Sequence, residues 1–273
     1  MRPDPSLDLI LARFVAACGS DDRVLGAFVS GSRATGKADE YSDLDLCLIA
    51  RDDARDQLWA ERAAFIQQLG EPLLLEDFDG TDTAYFILAD GTEAELAFAR
   101  EGHVHEVHRG PYRTLLDKTG VLAGSAFQET GPSGPDQVET LRRQIYWFWH
   151  DLSHFIAAVG RGQLWWGSGQ IEALRRYCVD LARLREDFTE GPEGYDKLDD
   201  AVPGARLSAL RPTFVPMERS AMLGAADAIV EFYRQLAPEM AEAHGLTYPI
   251  ELDRLMRDRL AQLHQGAAPP RQR

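Results

Sequence analysis

Gly31-Ser32-Arg33-Ala34-Thr35-Gly36, followed after a short polar loop by Ser42-Asp43-Leu44-Asp45-Leu46, decides the reading of this chain. An apolar run, Val24 to Val29, precedes it and reads as a strand, so Ser30-Gly31-Ser32 falls where a strand ends and a short helix begins. Backbone amides at a helix start lack intrahelical acceptors and suit phosphate. Gly31 lets the backbone approach such a group, Ser32 adds a hydroxyl donor, and Gly36 releases the turn. Asp43 and Asp45 stand two residues apart in an alternating segment that continues Leu46, Cys47, Leu48, Ile49. On a strand both carboxylates therefore face one side. Two hard oxygen ligands on one face suit Mg²⁺, which keeps several waters and is commonly completed by substrate phosphates. The implied chemistry is phosphoryl or nucleotidyl transfer. The competing reading is a polar turn followed by two solvated aspartates; the order of the two halves, the strand before each and their spacing weigh against it. A Walker loop is excluded, because the Gly-Lys-Ser/Thr ending is missing and Lys37 has no helical apolar pattern behind it.

At 273 residues and 45% hydrophobic content the chain can fold as one large or two modest domains with a sizeable core. The start, Met1-Arg2-Pro3-Asp4-Pro5-Ser6, has no apolar signal core, and no segment approaches the ~18 apolar residues of a membrane span. A cytoplasmic location is expected. Cys18, Cys47 and Cys178 are odd in number and set in apolar surroundings, which predicts reduced, buried thiols. The 29 Lys and Arg against 44 Asp and Glu leave a formal charge of −15. Such a surface repels nucleic acid and attracts small cations, although acidity also serves solubility alone.

The Gly-Ser, loop, Asp-x-Asp order resembles the nucleotidyltransferase superfamily related to DNA polymerase beta. Within it the chain is most similar to the bacterial antibiotic nucleotidyltransferases that modify aminoglycosides or lincosamides. Arg161-Gly162-Gln163-Leu164 and Gly245-Leu246-Thr247-Tyr248-Pro249 are loosely similar to the streptomycin-modifying branch. In that branch an acid tends to follow the Arg-x pair, where this chain has Gln163. The resemblance implies an α+β protein: an N-terminal nucleotidyltransferase domain with a mixed β-sheet, residues 1–131, followed by a C-terminal α-helical bundle, residues 136–273, that binds the acceptor. It also implies a third carboxylate on a later strand, in an acid-leucine-x-phenylalanine pattern. Glu95-Leu96-Ala97-Phe98 matches that pattern, and Glu93 on the same face is the alternative.

Along the chain, Ser6 is placed to cap a helix with the apolar face Leu7, Ile10, Leu11, Phe14, Val15 and Cys18, ended by Gly19. A second helix is expected over 53–69 and strands over 73–78, 83–89 and 92–99, the last two joined by a two-residue Asp90-Gly91 turn. Tyr112 to Gly120 reads as one more strand and turn. The turn-rich stretch 129–135 reads as a linker, and helices follow near 137–159, 169–186, 217–243 and 250–262. Gly191-Pro192 and Val202-Pro203-Gly204 mark connections, and the tail from Gln265 is expected to fray.

Three other groups invite a functional reading. His150 and His154 stand one helical turn apart, the spacing zinc proteases use, but Asp151 replaces their glutamate and the sequence identifies no third ligand, so no zinc site is expected. His103, His105, Glu106 and His108 read as a polar loop. Of Trp147, Trp149, Trp165 and Trp166 most are expected in the core, while Arg161, Arg175 and Arg176 are candidates to reach triphosphate oxygens.

Together these readings predict Mg²⁺-dependent transfer of a nucleoside monophosphate, from ATP, to a hydroxyl of a small cationic antibiotic of aminoglycoside type, with release of pyrophosphate. Asp43 and Asp45 hold metal, Gly31 and Ser32 grip the triphosphate, and Glu95 completes the metal site or serves as base, with Glu172 as an alternative base. A lincosamide acceptor, a protein acceptor of the antitoxin kind and a silent nucleotide-binding module are the alternatives.

Overall fold

The structure, a computed structural model, describes residues 5–106, 110–123, 134–189 and 193–266. The chain divides into two compact units, residues 1–129 and 130–273. The stretch 129–133 of the expected linker, His108, Gly191-Pro192 and the tail 267–273 lie outside the described residues.

The first unit opens with α1 (Pro5–Ser20), which places Ser6 inside the helix. Then come β1 (Val24–Val29), α2 (Gly31–Thr35), β2 (Leu44–Ala50), α3 (Arg55–Ala60), α4 (Arg62–Gln67), β3 (Pro72–Asp77), β4 (Thr83–Leu88), β5 (Glu93–Arg100) and β6 (Arg113–Asp117). The strands make one sheet in the order β3-β4-β5-β2-β1-β6. β2 and β5 pair in parallel and the other neighbours antiparallel, so the sheet is mixed, as expected from helices between strands. Leu7, Ile10, Leu11, Phe14 and Cys18 of α1 are buried in a core shared with Leu44, Leu46 and Leu48 of β2 and Leu96 and Phe98 of β5. Apolar residues on alternate strand positions line that face; the opposite face buries a smaller cluster with Phe28 of β1, Cys47 and Ile49 of β2 and Ala99 of β5, and carries Asp45, Glu93 and Glu95 toward the other end of β2 and β5.

Two local expectations are corrected. The helix expected over 53–69 is two short helices, broken at Glu61, whose ψ of 5° leaves the helical region. Arg62 drives the break: its Nη1 donates to the Trp59 carbonyl at 3.1 Å while its guanidinium lies 4.6 Å over the Trp59 ring, so a side chain serves a helix-end carbonyl. The β4–β5 hairpin turns through three residues, Ala89-Asp90-Gly91. The Leu88 amide donates to the Thr92 carbonyl at 2.9 Å, the Gly91 amide to the Leu88 carbonyl at 2.9 Å, and Gly91 takes the positive φ of 87° that such loops require.

The second unit carries α5 (Gly134–Gly160), α6 (Leu164–Glu186), α7 (Leu198–Ala201), α8 (Gly204–Ser208), α9 (Arg219–Ala243) and α10 (Ile250–Gln265). Its core takes Ile145, Phe148, Trp149, Leu152, Phe155 and Ile156 from α5, spaced as one helical stripe. Phe148 stacks on Tyr233 of α9 with ring centres 3.6 Å apart, and the Tyr233 hydroxyl donates to the Ile145 carbonyl at 2.8 Å. The expectation that most of Trp147, Trp149, Trp165 and Trp166 are core is corrected: only Trp149 of these is buried, and Trp147, Trp165 and Trp166 are exposed, since Trp147 falls off the stripe and the other two open α6. Cys18, Cys47 and Cys178 are free and buried, as expected. Among the described residues no helix is long and apolar enough to cross a membrane.

Candidate active site

β1 hands directly to α2 through Ser30, which has extended backbone and whose amide donates to the Asp45 carbonyl at 2.9 Å. That bond stitches the end of β1 to the start of β2. Gly31 follows with a φ of 60°, and a Cβ added there would overlap Oδ2 of Asp45. Glycine is thus required twice, by conformation and by the carboxylate packed against it. Ser32 Oγ is buried and has no hydrogen-bond partner, an arrangement that buried hydroxyls rarely show. Gly36, with a φ of 71°, closes the five-residue α2.

Asp43 stands one residue before β2 and is exposed; Asp45 is inside β2 and half-buried. In the parallel pair β2–β5 Asp45 lies directly beside Glu95, and neighbouring strands run about 4.8 Å apart. On β5, Ala94, Leu96 and Phe98 enter the core while Glu93 and Glu95 take the other face. The two glutamates differ in partners. Tyr85 of β4, opposite Glu95 in the antiparallel pair, donates its hydroxyl to Glu93 Oε2 at 3.0 Å. Burial raises the Glu95 carboxyl above its ordinary range, and the charges of Asp45 and then Asp43 raise it further. Burial and the bond to Glu93 likewise raise the Tyr85 phenol. Asp43, Asp45 and Glu95 therefore share one electrostatic neighbourhood, and three mutually repelling carboxylates, one of them packed on the glycine of the turn, fit a hard divalent cation carrying phosphate. Tyr85 had no role in the sequence reading; the only signal for it is the hairpin register.

A cleft of about 290 Å³ runs beside this set, lined by Glu40, Tyr41, Ser42 and Asp43 from the loop before β2 and by Asp90 to Glu93 from the hairpin tip. A larger cleft, of about 520 Å³, lies in the second unit between α9 and α10 and holds none of these residues.

The family model for streptomycin adenylyltransferase matches residues 6–263. The chain belongs to the streptomycin adenylyltransferase family. It is a nucleotidyltransferase, and the resemblance drawn from the Gly-Ser and Asp-x-Asp segments is borne out. None of the curated proteins compared with it is a match. Among solved structures it is similar to an aminoglycoside 6-adenyltransferase from Bacillus subtilis, at 11% identity and a TM-score of 0.44, over 97% of this chain and 100% of that one.

In the second unit of this adenylyltransferase-family chain, Arg175 is buried and fully engaged. Its Nε donates to Thr213 Oγ1 and its Nη2 to the Thr213 carbonyl, both at 2.7 Å, it pairs with Glu172, and it lies 3.9 Å from the Phe214 ring. Arg175 is an internal clamp, and Glu172 is its partner. Arg161 and Arg176 are exposed.

Proposed function

We propose that this chain transfers AMP from ATP to a hydroxyl of a small cationic antibiotic of aminoglycoside type, releasing pyrophosphate in an Mg²⁺-dependent reaction. The observation that carries this reading is the placing of Asp45: its carboxylate packs on Gly31 and its strand position is next to Glu95. Asp43 and Asp45 hold the cation, with Glu95 as third ligand or as the base that takes the acceptor's proton. Bound there, Mg²⁺ supplies charge neutralisation for the triphosphate and for the departing pyrophosphate. Gly31 and Ser32 receive the phosphates, and the unpartnered Ser32 hydroxyl has a hydrogen bond to give. As the acceptor O–P bond forms and the bridging P–O bond breaks, a raised carboxyl such as that of Glu95 is a better proton acceptor near neutral pH than an ordinary one. The acidic surface favours a polycationic acceptor, the family takes its name from streptomycin, a member of that class, and residues 136–273 supply its recognition.

The test is pyrophosphate release by purified protein with Mg²⁺, each nucleoside triphosphate and a panel of aminoglycosides and lincosamides. Release is expected with ATP and an aminoglycoside, and Asp45→Asn lowers it by about 10²–10³-fold or more. Release at the wild-type rate from Asp45→Asn overturns the site; release only with lincosamides, or label retained on protein, overturns the acceptor class.

A further inference from the structure

We propose that His150, Asp151 and His154 on α5 form a binding site for a divalent transition-metal ion of the zinc type, distinct from the carboxylate set of the first unit. Each helical residue turns the chain by about 100°, which places His150, His154 and Asp151 at about 0°, 40° and 100° on one arc. Three donor atoms, one from each side chain, lie within 4.8 Å of one another. Ligands at about 2.0–2.1 Å from a tetrahedral ion stand about 3.3–3.4 Å apart, so the widest donor pair has at most about 1.5 Å to close. The third ligand, which the sequence alone did not identify, is Asp151.

The surroundings are built to orient that carboxylate. Its Oδ1 pairs with His150 Nδ1 at 2.8 Å, and its Oδ2 accepts the Tyr177 hydroxyl of α6 at 3.0 Å. The Tyr177 hydroxyl lies outside the ligand set, and an outer partner of this sort fixes ligand geometry and raises affinity. His154 has ring contacts with His150, 4.2 Å between centres, and with Trp166, 5.7 Å; no hydrogen bond holds its nitrogens among the described residues. His150 is half exposed, which leaves an entry path and an open coordination position. Two imidazoles and one carboxylate select zinc, copper, nickel or cobalt over Mg²⁺, so the cation of the transfer reaction does not compete.

The competing reading is a plain imidazole–carboxylate pair. Tag-free full-length protein, stripped with chelator and held in excess Mg²⁺, is titrated with Zn²⁺ by calorimetry and with Co²⁺ by visible absorption. One equivalent of Zn²⁺ and a tetrahedral Co²⁺ spectrum are expected. Cu²⁺ should quench tryptophan fluorescence, because Trp147 lies 4.7 Å from His150. His150→Ala and His154→Ala each weaken Zn²⁺ binding by about tenfold or more, while Asp45→Asn leaves it unchanged. Zn²⁺ displaced by excess Mg²⁺, retained undiminished by both His150→Ala and His154→Ala, or lost in Asp45→Asn overturns the proposal, and the Cu²⁺ readout needs no variant at all.

Discussion

Gly31 and Glu95 are the residues at which the geometry makes its sharpest demands. Gly31→Ala places a methyl group in the volume of Asp45 Oδ2 at a backbone angle that disfavours any side chain. A loss of about 1–3 kcal/mol in urea unfolding is expected, together with a fall in kcat/KM larger than that loss of fold explains; a variant that keeps full activity contradicts the proposed role of the turn packed on Asp45. Glu95 has a pH signature. Its folded carboxyl is raised above the ordinary 4.5, so its ionisation costs more in the folded chain than in the unfolded one. That cost is absent below about pH 4.5, grows as pH rises through the raised value, and persists above it. Glu95→Gln should therefore raise the unfolding midpoint of Mg²⁺-free protein at pH 8 and make no difference near pH 4, and added Mg²⁺ should shrink the gain. A variant less stable than wild type at pH 8 in chelator removes the like-charge account.

At the scale of elements, registers matter more than boundaries. A two-residue Asp90-Gly91 turn pairs Ala89 with Thr92 and sets Phe86 opposite Glu95; the observed three-residue loop sets Tyr85 there. One residue of loop thus decides whether an apolar ring or a hydroxyl-bearing one faces the carboxylates, since a single-step shift exchanges the faces of a strand. Helix periods were legible for α1, α5, α6, α9 and α10 because each buries a continuous stripe. The break at Glu61 was not, because it depends on Arg62 reaching the Trp59 carbonyl. Between α9 and α10 the buried Asp253 accepts from Arg234 Nε at 3.1 Å, Arg257 Nε at 2.6 Å and the Tyr248 hydroxyl at 3.2 Å. Asp253→Ala strands three donors, and both arginines keep part of their hydration, so a loss of about 2–3 kcal/mol is expected by urea unfolding. A change below a few tenths would show the cluster to be solvent-compensated.

The whole molecule carries a formal charge of −15, and that charge should be readable in kinetics. For a polycationic acceptor, KM should rise severalfold between low and high salt with kcat little changed, since screening weakens long-range attraction and leaves the bond-making step alone. A KM that falls with salt would argue for a neutral or anionic acceptor. The segments that carry the family resemblance, Gly31-Ser32 and Asp43-x-Asp45, were legible without coordinates because they are local: a strand end, a tight turn and an alternating pair each act through neighbours in sequence. So was the division into a sheet-forming and a helical part, because the hydrophobic period changes along the chain. Tertiary structure alone decided the rest. It placed β5 in parallel beside β2, which sets Glu95 rather than Glu93 next to Asp45; it turned Arg175 inward onto Thr213; and it brought the hydroxyl of Tyr177 onto Asp151. Those outcomes depend on contacts between residues far apart in the chain, and a pattern read along the backbone carries no information about which distant strand or helix will pack against it.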